Sequence, residues 1–510
     1  MKKILSIIIL LVMLLTIFAG CKTKKEKEIW NYEDDEITVD FRFIVETKIE
    51  GNRIYETINY YYIQDDEIVG TWNVVDFVDT INDFDPNEQK TDKKSLFLTR
   101  IKFFDVGTAA LKYEGVEDER LEKWTDGYIV YERDKIVSKY TIKNIDDVEY
   151  MFVEWKSGDY AYYGFTPKYY VFKKASSRTI FVVPEYADVR SKDIHVADFS
   201  DEPRKILTLT FNEKTIFPPQ EKLPSVYKFQ PVPVMEAGMN PGLGVRALHE
   251  QGITGEGVSV AVIDWGILDL NHPEYKDCIA EYVSLSSNLL SFLGQTTLSL
   301  LAGKNIGTAP DAKVYYYSVL SYSEEEKIDA ETYATALDMI IEKNKTLSEN
   351  EKIRVVCVTI DPRNNDAFKN VDIYVESRKI AQETGILIID VSIIGPCSYD
   401  FNNPEDVTKC KPGGERNNFW YTKTAILAPS CYRTTAESTR IGNYSYQYVG
   451  DGGAPSSVPY AAGVFALGWQ VKPELTADEI VQILIDTAYV DVQGYKYINP
   501  PAFIEYIQNN

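Results

Sequence analysis

Residues 258–264 read VSVAVID, a nearly continuous apolar run that ends on a carboxylate. Runs of the same kind recur downstream, at residues 313–320, 353–360 and 385–389. Stretches with helical periodicity lie between them, at residues 328–343 and 372–383. Strands that are buried on both faces read as continuous apolar runs, and their alternation with helices predicts a doubly wound parallel sheet of the α/β class.

Three motifs surround and follow this run in a fixed order. Residues 249–267 read HEQGITGEGVSVAVIDWGI and lead into Asn271-His272-Pro273; residues 307–315 read GTAPDAKVY, and residues 453–463 read GAPSSVPYAAG. Together they resemble the subtilisin-like serine proteases, the subtilases, over about residues 241–490, roughly half of the chain. The resemblance implies a subtilisin-like peptidase-family domain over residues 241–510.

The resemblance also implies where a catalytic triad would stand. Asp264 matches the Asp that orients the imidazole in this family. The family's His position falls on Leu293, and its Ser position falls on Pro455, with Ser456 directly after it. Subtilase chemistry needs all three groups, so the resemblance implies a degenerate member.

Shifting the alignment to make Ser456 the nucleophile does not restore the chemistry. A neutral hydroxyl needs a base within hydrogen-bonding reach, and the chain offers only His195, His249 and His272, which fall on other segments. The family's oxyanion Asn also has no counterpart after the strand at residues 385–389, and Asp361 stands where the substrate-pairing strand usually has Gly. Without an imidazole, Asp264 is expected to be hydrogen-bonded to loop N–H groups.

The N-terminus has the features of a secretory signal. Lys2 and Lys3 precede an apolar stretch at residues 4–18, and Ala19-Gly20 leads into Cys21. The pattern resembles a bacterial lipoprotein signal over residues 1–20, which implies lipidation of Cys21 and a location on the outer face of the bacterial membrane, in the cell envelope. An uncleaved membrane anchor is the alternative.

Three further segments precede the α/β region. Residues 21–36 are a charged tether; residues 37–175 carry short Tyr-, Phe-, Val- and Ile-rich runs typical of an all-β domain; residues 176–240 are a Pro-rich connector. Gly70-Thr71-Trp72 opening a strand resembles a lipocalin-type barrel, and a β-sandwich is the alternative. The interior of such a barrel is either filled with side chains or holds one small apolar ligand.

Composition excludes several classes of function. The chain of 510 residues is 45% hydrophobic and 26% charged, which is typical of folded protein, and its net charge of −23 disfavours nucleic-acid partners. With three His, six Cys, and no CxxC or HExxH motif, neither a metal nor a cofactor is predicted. Cys397 and Cys410 are the candidates for closing a loop by a disulfide.

These observations predict a lipid-anchored pseudoprotease that binds a peptide or protein in the former substrate cleft. An active serine endopeptidase with an unconventional site is the second hypothesis, and a purely structural envelope protein is the third. Contact with the membrane is expected through the lipid anchor only.

Overall fold

The structure is a computed structural model, and it describes most of the chain after residue 24. The described residues are 25–33, 36–50, 53–60, 62–87, 96–116, 119–131, 136–155, 168–176, 182–266, 268–285, 292–320, 327–363, 365–414, 425–438, 442 and 444–510. They form two compact units, which divide after Tyr61. Among these residues, no helix combines the length and apolarity needed to cross a bilayer. The predicted signal and Cys21 lie outside the described residues.

The first unit contains an antiparallel three-stranded sheet in the order β1-β2-β3. Its strands are β1 (Lys25–Glu33), β2 (Glu36–Glu50) and β3 (Arg53–Tyr60). Strand β1 falls within the segment predicted as a charged tether, and it pairs antiparallel with β2, with Lys27 opposite Val45.

The second unit begins with a closed antiparallel barrel, in which each strand pairs with its neighbours along the chain and the last pairs with the first. Its strands are β4 (Gly70–Val78), β5 (Leu98–Phe103), β6 (Thr108–Tyr113), β7 (Glu119–Thr125), β8 (Tyr128–Tyr131), β9 (Ile136–Ile145), β10 (Val148–Trp155) and β11 (Lys168–Ser176). Closure removes the exposed edges that an open sheet would leave. Of the two predicted all-β forms, the structure has the barrel.

Aromatic side chains dominate the inside of the barrel. Trp72 and Trp124 are fully buried, and the ring of Phe103 lies 5.9 Å from that of Trp124, edge to face. Both indole N–H groups are satisfied: Trp72 donates to the Ile68 carbonyl at 2.7 Å, and Trp124 to the Phe104 carbonyl at 2.8 Å. A buried indole retains its stabilising effect only with such a partner.

The Pro-rich connector packs as an ordered layer. It contains helix α1 (Lys205–Thr208), strand β12 (Thr210–Asn212) and helix α2 (Pro231–Ala237). One apolar cluster joins three parts of this unit, with Leu121 from the barrel, Ile206 and Phe211 from the connector, and Tyr448 from the α/β region. The connector therefore holds the barrel against the α/β region through a shared core.

The α/β region is organised by a parallel sheet in the order β14-β15-β13-β17-β19. The strands are β13 (Ser259–Asp264), β14 (Ile279–Ser284), β15 (Lys313–Ser318), β17 (Ile353–Val358) and β19 (Leu387–Ile389), and a parallel pair of two residues each is formed by β16 (Ile328–Asp329) and β18 (Phe368–Lys369). Four of these strands coincide with the predicted apolar runs. Strand β14 has no such run, because it lies at the edge of the sheet and is only half-buried.

Helices cover both faces of this sheet. The main ones are α3 (Val245–Glu250), α4 (Phe292–Ala302), α5 (Glu331–Thr346), α6 (Val371–Glu383) and α7 (Ala454–Val471). Val260 and Val262 point into a cluster with residues of α4 and α7, whereas Ala261 and Ile263 point into one with residues of α5 and α6. This alternation along β13 explains why its whole length is apolar.

A second sheet and a hairpin complete the region. The second sheet, in the order β21-β20-β22-β26-β25, is built from β20 (Ile394–Ser398), β21 (Lys411–Pro412), β22 (Ile426–Pro429), β25 (Tyr489–Val490) and β26 (Lys496–Tyr497). The hairpin of β23 (Arg433–Ser438) and β24 (Tyr444–Val449) takes β12 as its third strand. Helices α8 (Ala477–Asp486) and α9 (Pro500–Asn509) follow, and α8 opens with a capping box formed by Thr476 and Glu479.

Candidate functional site

Asp264 ends β13 at the carboxyl edge of the parallel sheet, where ligands bind in open α/β folds. Its carboxylate is 1% exposed and accepts three hydrogen bonds. The donors are the Trp265 N–H at 2.7 Å, the Thr359 hydroxyl at 2.6 Å and the Thr297 hydroxyl at 2.5 Å. The sequence predicts loop N–H groups as donors; one donor is such an N–H, and the other two are threonine hydroxyls.

The two threonines arrive from different elements. Thr359 directly follows β17, the neighbour of β13, and Thr297 lies in the middle of α4. Leu293 lies four residues before Thr297, in the first turn of α4, so the two residues share one helix face. Helix α4, which carries Leu293, thus contacts Asp264 one turn later through the Thr297 hydroxyl.

Close packing fixes this helix against the sheet. A Cβ atom on Gly294 would lie 2.1 Å from the Tyr316 hydroxyl of β15, so only glycine permits the observed approach. Tyr316 is fully buried, and burial raises its pKa well above the usual value for a tyrosine. The hydroxyl therefore stays protonated beside Asp264.

Pro455 and Ser456 lie in the first turn of α7, after Gly453. Proline suits this position because its missing N–H would have no partner inside the helix. The Ser456 N–H donates to the Gly453 carbonyl at 2.9 Å, while Ser457 is fully buried. Helix α7 packs against α4 and β13, so the elements bearing Asp264, Leu293 and Pro455 are neighbours.

All three histidines of the chain are engaged elsewhere. His249 bonds the Thr308 carbonyl at 2.9 Å, and His195 bonds Asp193 at 2.7 Å. His272 accepts from the Glu274 N–H at 3.1 Å through Nδ1 and bonds the Ser445 carbonyl at 3.2 Å through Nε2. The hydrogen bonds described for the Asp264 carboxylate therefore include no imidazole.

A network of buried charges occupies the same sheet edge, beyond β17 and β19. Asp390, fully buried after β19, accepts a hydrogen bond from Arg363 at 2.9 Å and forms an ion pair with Arg378 at 2.8 Å. Arg363 also pairs with Asp361 at 2.9 Å, and the Ser392 hydroxyl donates to Asp390 at 2.5 Å. Thus Asp361, which stands where the family usually has Gly, is tied across the edge to the position after β19.

Trp265 covers the opposite side of Asp264. Its indole N–H donates to the Tyr333 hydroxyl at 2.5 Å, and its ring lies 6.5 Å from that of Phe368. The side chain belongs to the apolar cluster between the sheet and helices α5 and α6. These contacts hold the Trp265 side chain against that apolar cluster.

The acidic residues of the charge network at this edge are paired with arginines and do not form a metal-binding group. Within the part of the chain that the structure describes, no group of three or more His, Cys, Asp or Glu side chains is placed to hold a metal ion. Asp361 and Asp390 already have their charges matched by Arg363 and Arg378.

The acid at Asp264 gives a testable pH dependence. Burial raises the pKa of Asp264, and the bonds from Thr297, Thr359 and Trp265 lower it only in part. The folded chain therefore holds this proton at a pH where the unfolded chain has released it, so its stability falls as pH rises from about 4, the ordinary Asp value, through the raised pKa. We expect Asp264→Asn to become progressively more stable than the unsubstituted chain over that rise, measured by urea unfolding at several pH values.

Removal of one hydroxyl donor provides the control for this experiment. Thr297→Val leaves the buried carboxylate with one hydrogen bond fewer and is expected to cost roughly 1–3 kcal/mol at neutral pH. Stability curves of Asp264→Asn and the unsubstituted chain that run parallel across the pH range would contradict the role given to this acid.

Comparison with known proteins gives a distant relationship. No family model matches the sequence. Over 279 residues the chain is 23% identical to the subtilisin-like protease PopC of Myxococcus xanthus (strain DK1622), an alignment covering 48% of the chain and 58% of PopC. The chain is a distant relative of a subtilisin-like protease. It spans little more than half the length of that relative.

Two solved structures are also similar. A chain from the subtilase cytotoxin SubAB assembly is 14% identical and covers 53% of this chain and 95% of its own, with a TM-score of 0.43. The prenylagaramide maturation protease PagA is 18% identical and covers 52% of this chain and 99% of its own, with a TM-score of 0.39.

Proposed function

We propose that this chain is a cell-surface lipoprotein whose α/β region is a catalytically inactive subtilisin-like domain that binds peptides. The observation that carries the proposal is the environment of Asp264. Its carboxylate accepts from Thr297, Thr359 and Trp265, while each histidine of the chain has partners elsewhere. In this proposal Asp264 is the acid that would orient the imidazole of a triad, but its side-chain donors are the hydroxyls of Thr297 and Thr359.

Without a base, no serine of this region is expected to act as a nucleophile. Serine attacks a peptide carbonyl only when a neighbouring group takes its proton. Pro455 has no hydroxyl, and Ser457 is buried. Leu293, at the family's His position, cannot accept a proton.

Peptide binding does not depend on these groups. A subtilase cleft holds an extended peptide largely by main-chain hydrogen bonds, as an added strand. The carboxyl edge of the sheet at Asp264 and Asp361 is the place for such a ligand.

The test is binding and cleavage of one unfolded substrate. Fluorescein-labelled, fully reduced casein fragments are expected to gain fluorescence anisotropy with the chain and to keep their length on a gel after prolonged incubation. Binding without cleavage supports the proposal; neither binding nor cleavage would favour the purely structural protein.

An active serine endopeptidase is the second candidate, because the curated relative is a subtilisin-like protease. In that case the casein fragments would shorten, and the shortening would stop with Ser456→Ala.

For the N-terminal barrel, a lipocalin-type resemblance is proposed. It rests on Gly70-Thr71-Trp72 at the start of β4.

The lipoprotein part of the proposal rests on residues 1–21. Lipidation of Cys21 after removal of residues 1–20 would anchor the mature chain to the outer face of the membrane. Cys21→Ser is expected to release the chain into the soluble fraction, and mass spectrometry of the native N-terminus checks the modification directly. An intact Met1 would contradict this part.

A further inference from the structure

Two cysteine side chains meet beside the second sheet. Cys397 lies in β20 opposite Pro412 of β21, and Cys410 lies two positions before Pro412. Cys410 directly precedes β21, whose Lys411 pairs with Ser398, the residue after Cys397, so the chain brings Cys410 to the same end of this ladder. Both pack in one apolar cluster with Leu427 and Tyr497. Cys410 is among the groups that raise the pKa of Cys397, which agrees with their packing side by side in this cluster.

The two thiols differ in their access to solvent. Cys397 is fully buried, whereas Cys410 is partly exposed. Burial raises the pKa of Cys397 well above the usual thiol value. Cys410 is therefore the thiol that an external reagent reaches first, with Cys397 behind it.

A third thiol nearby has a different partner. Cys431 is fully buried, and its Sγ donates to the Asp451 carbonyl at 2.9 Å. It follows β22 and packs in the cluster shared with the connector. Cys410 also packs against this cluster, so Cys431 is the competing thiol that a peptide map has to distinguish from Cys397.

We propose that Cys397 and Cys410 are a redox pair that closes into a disulfide when it meets a disulfide oxidant, such as oxidised glutathione or a thiol–disulfide oxidoreductase. The Cys410 thiolate attacks one sulfur of the oxidant and releases a first thiolate, leaving a mixed disulfide. The Cys397 sulfur then attacks Cys410 Sγ, forms the Cys397–Cys410 disulfide and displaces the second thiolate of the oxidant. The two cysteine protons end on the two released thiols, so two cysteines are oxidised and one oxidant disulfide is reduced.

The disulfide would close a ring of residues 397–410. This ring contacts the chain at the point where the connector leads into the α/β region. Within the ring, the Pro404 carbonyl accepts from the Leu243 N–H at 2.9 Å. The Glu405 carboxylate accepts from the Gly244 N–H and from Asn240 Nδ2, each at 2.6 Å. A disulfide across the base of this loop therefore restrains the loop and, through it, the end of the connector.

The experiment uses the full chain, reduced and then treated with oxidised glutathione under native conditions. After blocking of the remaining thiols and digestion, mass spectrometry is expected to find the peptides of Cys397 and Cys410 joined, with the loss of two hydrogen atoms. Dithiothreitol should separate them. A ring of this size predicts a melting temperature roughly 5 °C higher for the oxidised chain.

Two variants sharpen the result. Cys410→Ala is expected to lose the cross-link and the redox-dependent melting shift, whereas Cys278→Ala, whose thiol donates to the Tyr275 carbonyl, should keep both. Cys410 recovered as a lasting glutathione adduct, joined to Cys431, or left unmodified would overturn the proposal. The peptide map of the unsubstituted chain decides the matter even if Cys410→Ala folds poorly.

Discussion

A fluorophosphonate is expected to leave the full chain unlabelled under conditions in which subtilisin reacts completely. The reagent reports a serine that a neighbouring base has activated, and the carboxylate of Asp264 is bonded to Thr297 and Thr359 instead. Loss of the His or Ser of such a triad costs on the order of 10⁶ in turnover, about 8 kcal/mol of transition-state stabilisation. Gel fluorescence and intact mass measure the labelling.

Single substitutions supply the matched controls. Neither Leu293→His nor Pro455→Ser alone is expected to gain labelling, because nucleophile and base act as a unit. Labelling of the unsubstituted chain that disappears with Ser456→Ala would reverse the proposed function in favour of the active endopeptidase.

Asp390→Ala is expected to be among the most destabilising single substitutions in the chain. It removes the shared carboxylate of Arg363 and Arg378, and Arg378, which is 5% exposed, then stays buried without an acid. Arg363 retains Asp361. Breaking a buried ion pair from one side costs roughly 3–5 kcal/mol, because an uncompensated charge remains. Urea unfolding followed by circular dichroism measures the loss.

Asp406→Ala is the control for local geometry. Asp406, like Asp390, accepts from the backbone N–H and the hydroxyl two residues ahead, on Thr408, but it is exposed. A much smaller loss is expected there, since solvent replaces its bonds. Equal losses at the two positions would show that the turn, and not the buried charge, makes Asp390 important.

The sequence predicts those parts of the fold in which one residue pattern has one structural outcome. The runs at β13, β15, β17 and β19 are apolar throughout because helices cover both faces, so their positions follow from the pattern. Strand β20 reads IGPCS and β22 reads ILAP, and proline and glycine in such short segments indicate turns. Their pairing is set by tertiary packing that no local pattern records.

The residues of the candidate site also fall into those that the sequence predicts and those that it does not. Asp264, Leu293 and Pro455 could be placed because motifs fix their elements, and Thr297 could have been added from its spacing of four residues after Leu293 on one helix. Thr359 could not, since only pairing of β17 with β13 brings it to the acid. The bridge from Arg363 to Asp390 likewise depends on the order of strands.

Strand β12 has a consequence for how the chain is made. Thr210 pairs with Val449, which lies 239 positions later, so the edge of β12 that faces β24 stays unpaired while nearly half of the protein is still to be synthesised; its other edge is bridged to Asp188, which precedes it in the chain. At roughly 5–20 residues per second, that wait is about 12–48 s. The barrel can close before then from neighbouring strands alone. A stall or truncation before residue 444 would therefore leave a finished barrel followed by an open strand edge, ready to pair with another nascent chain.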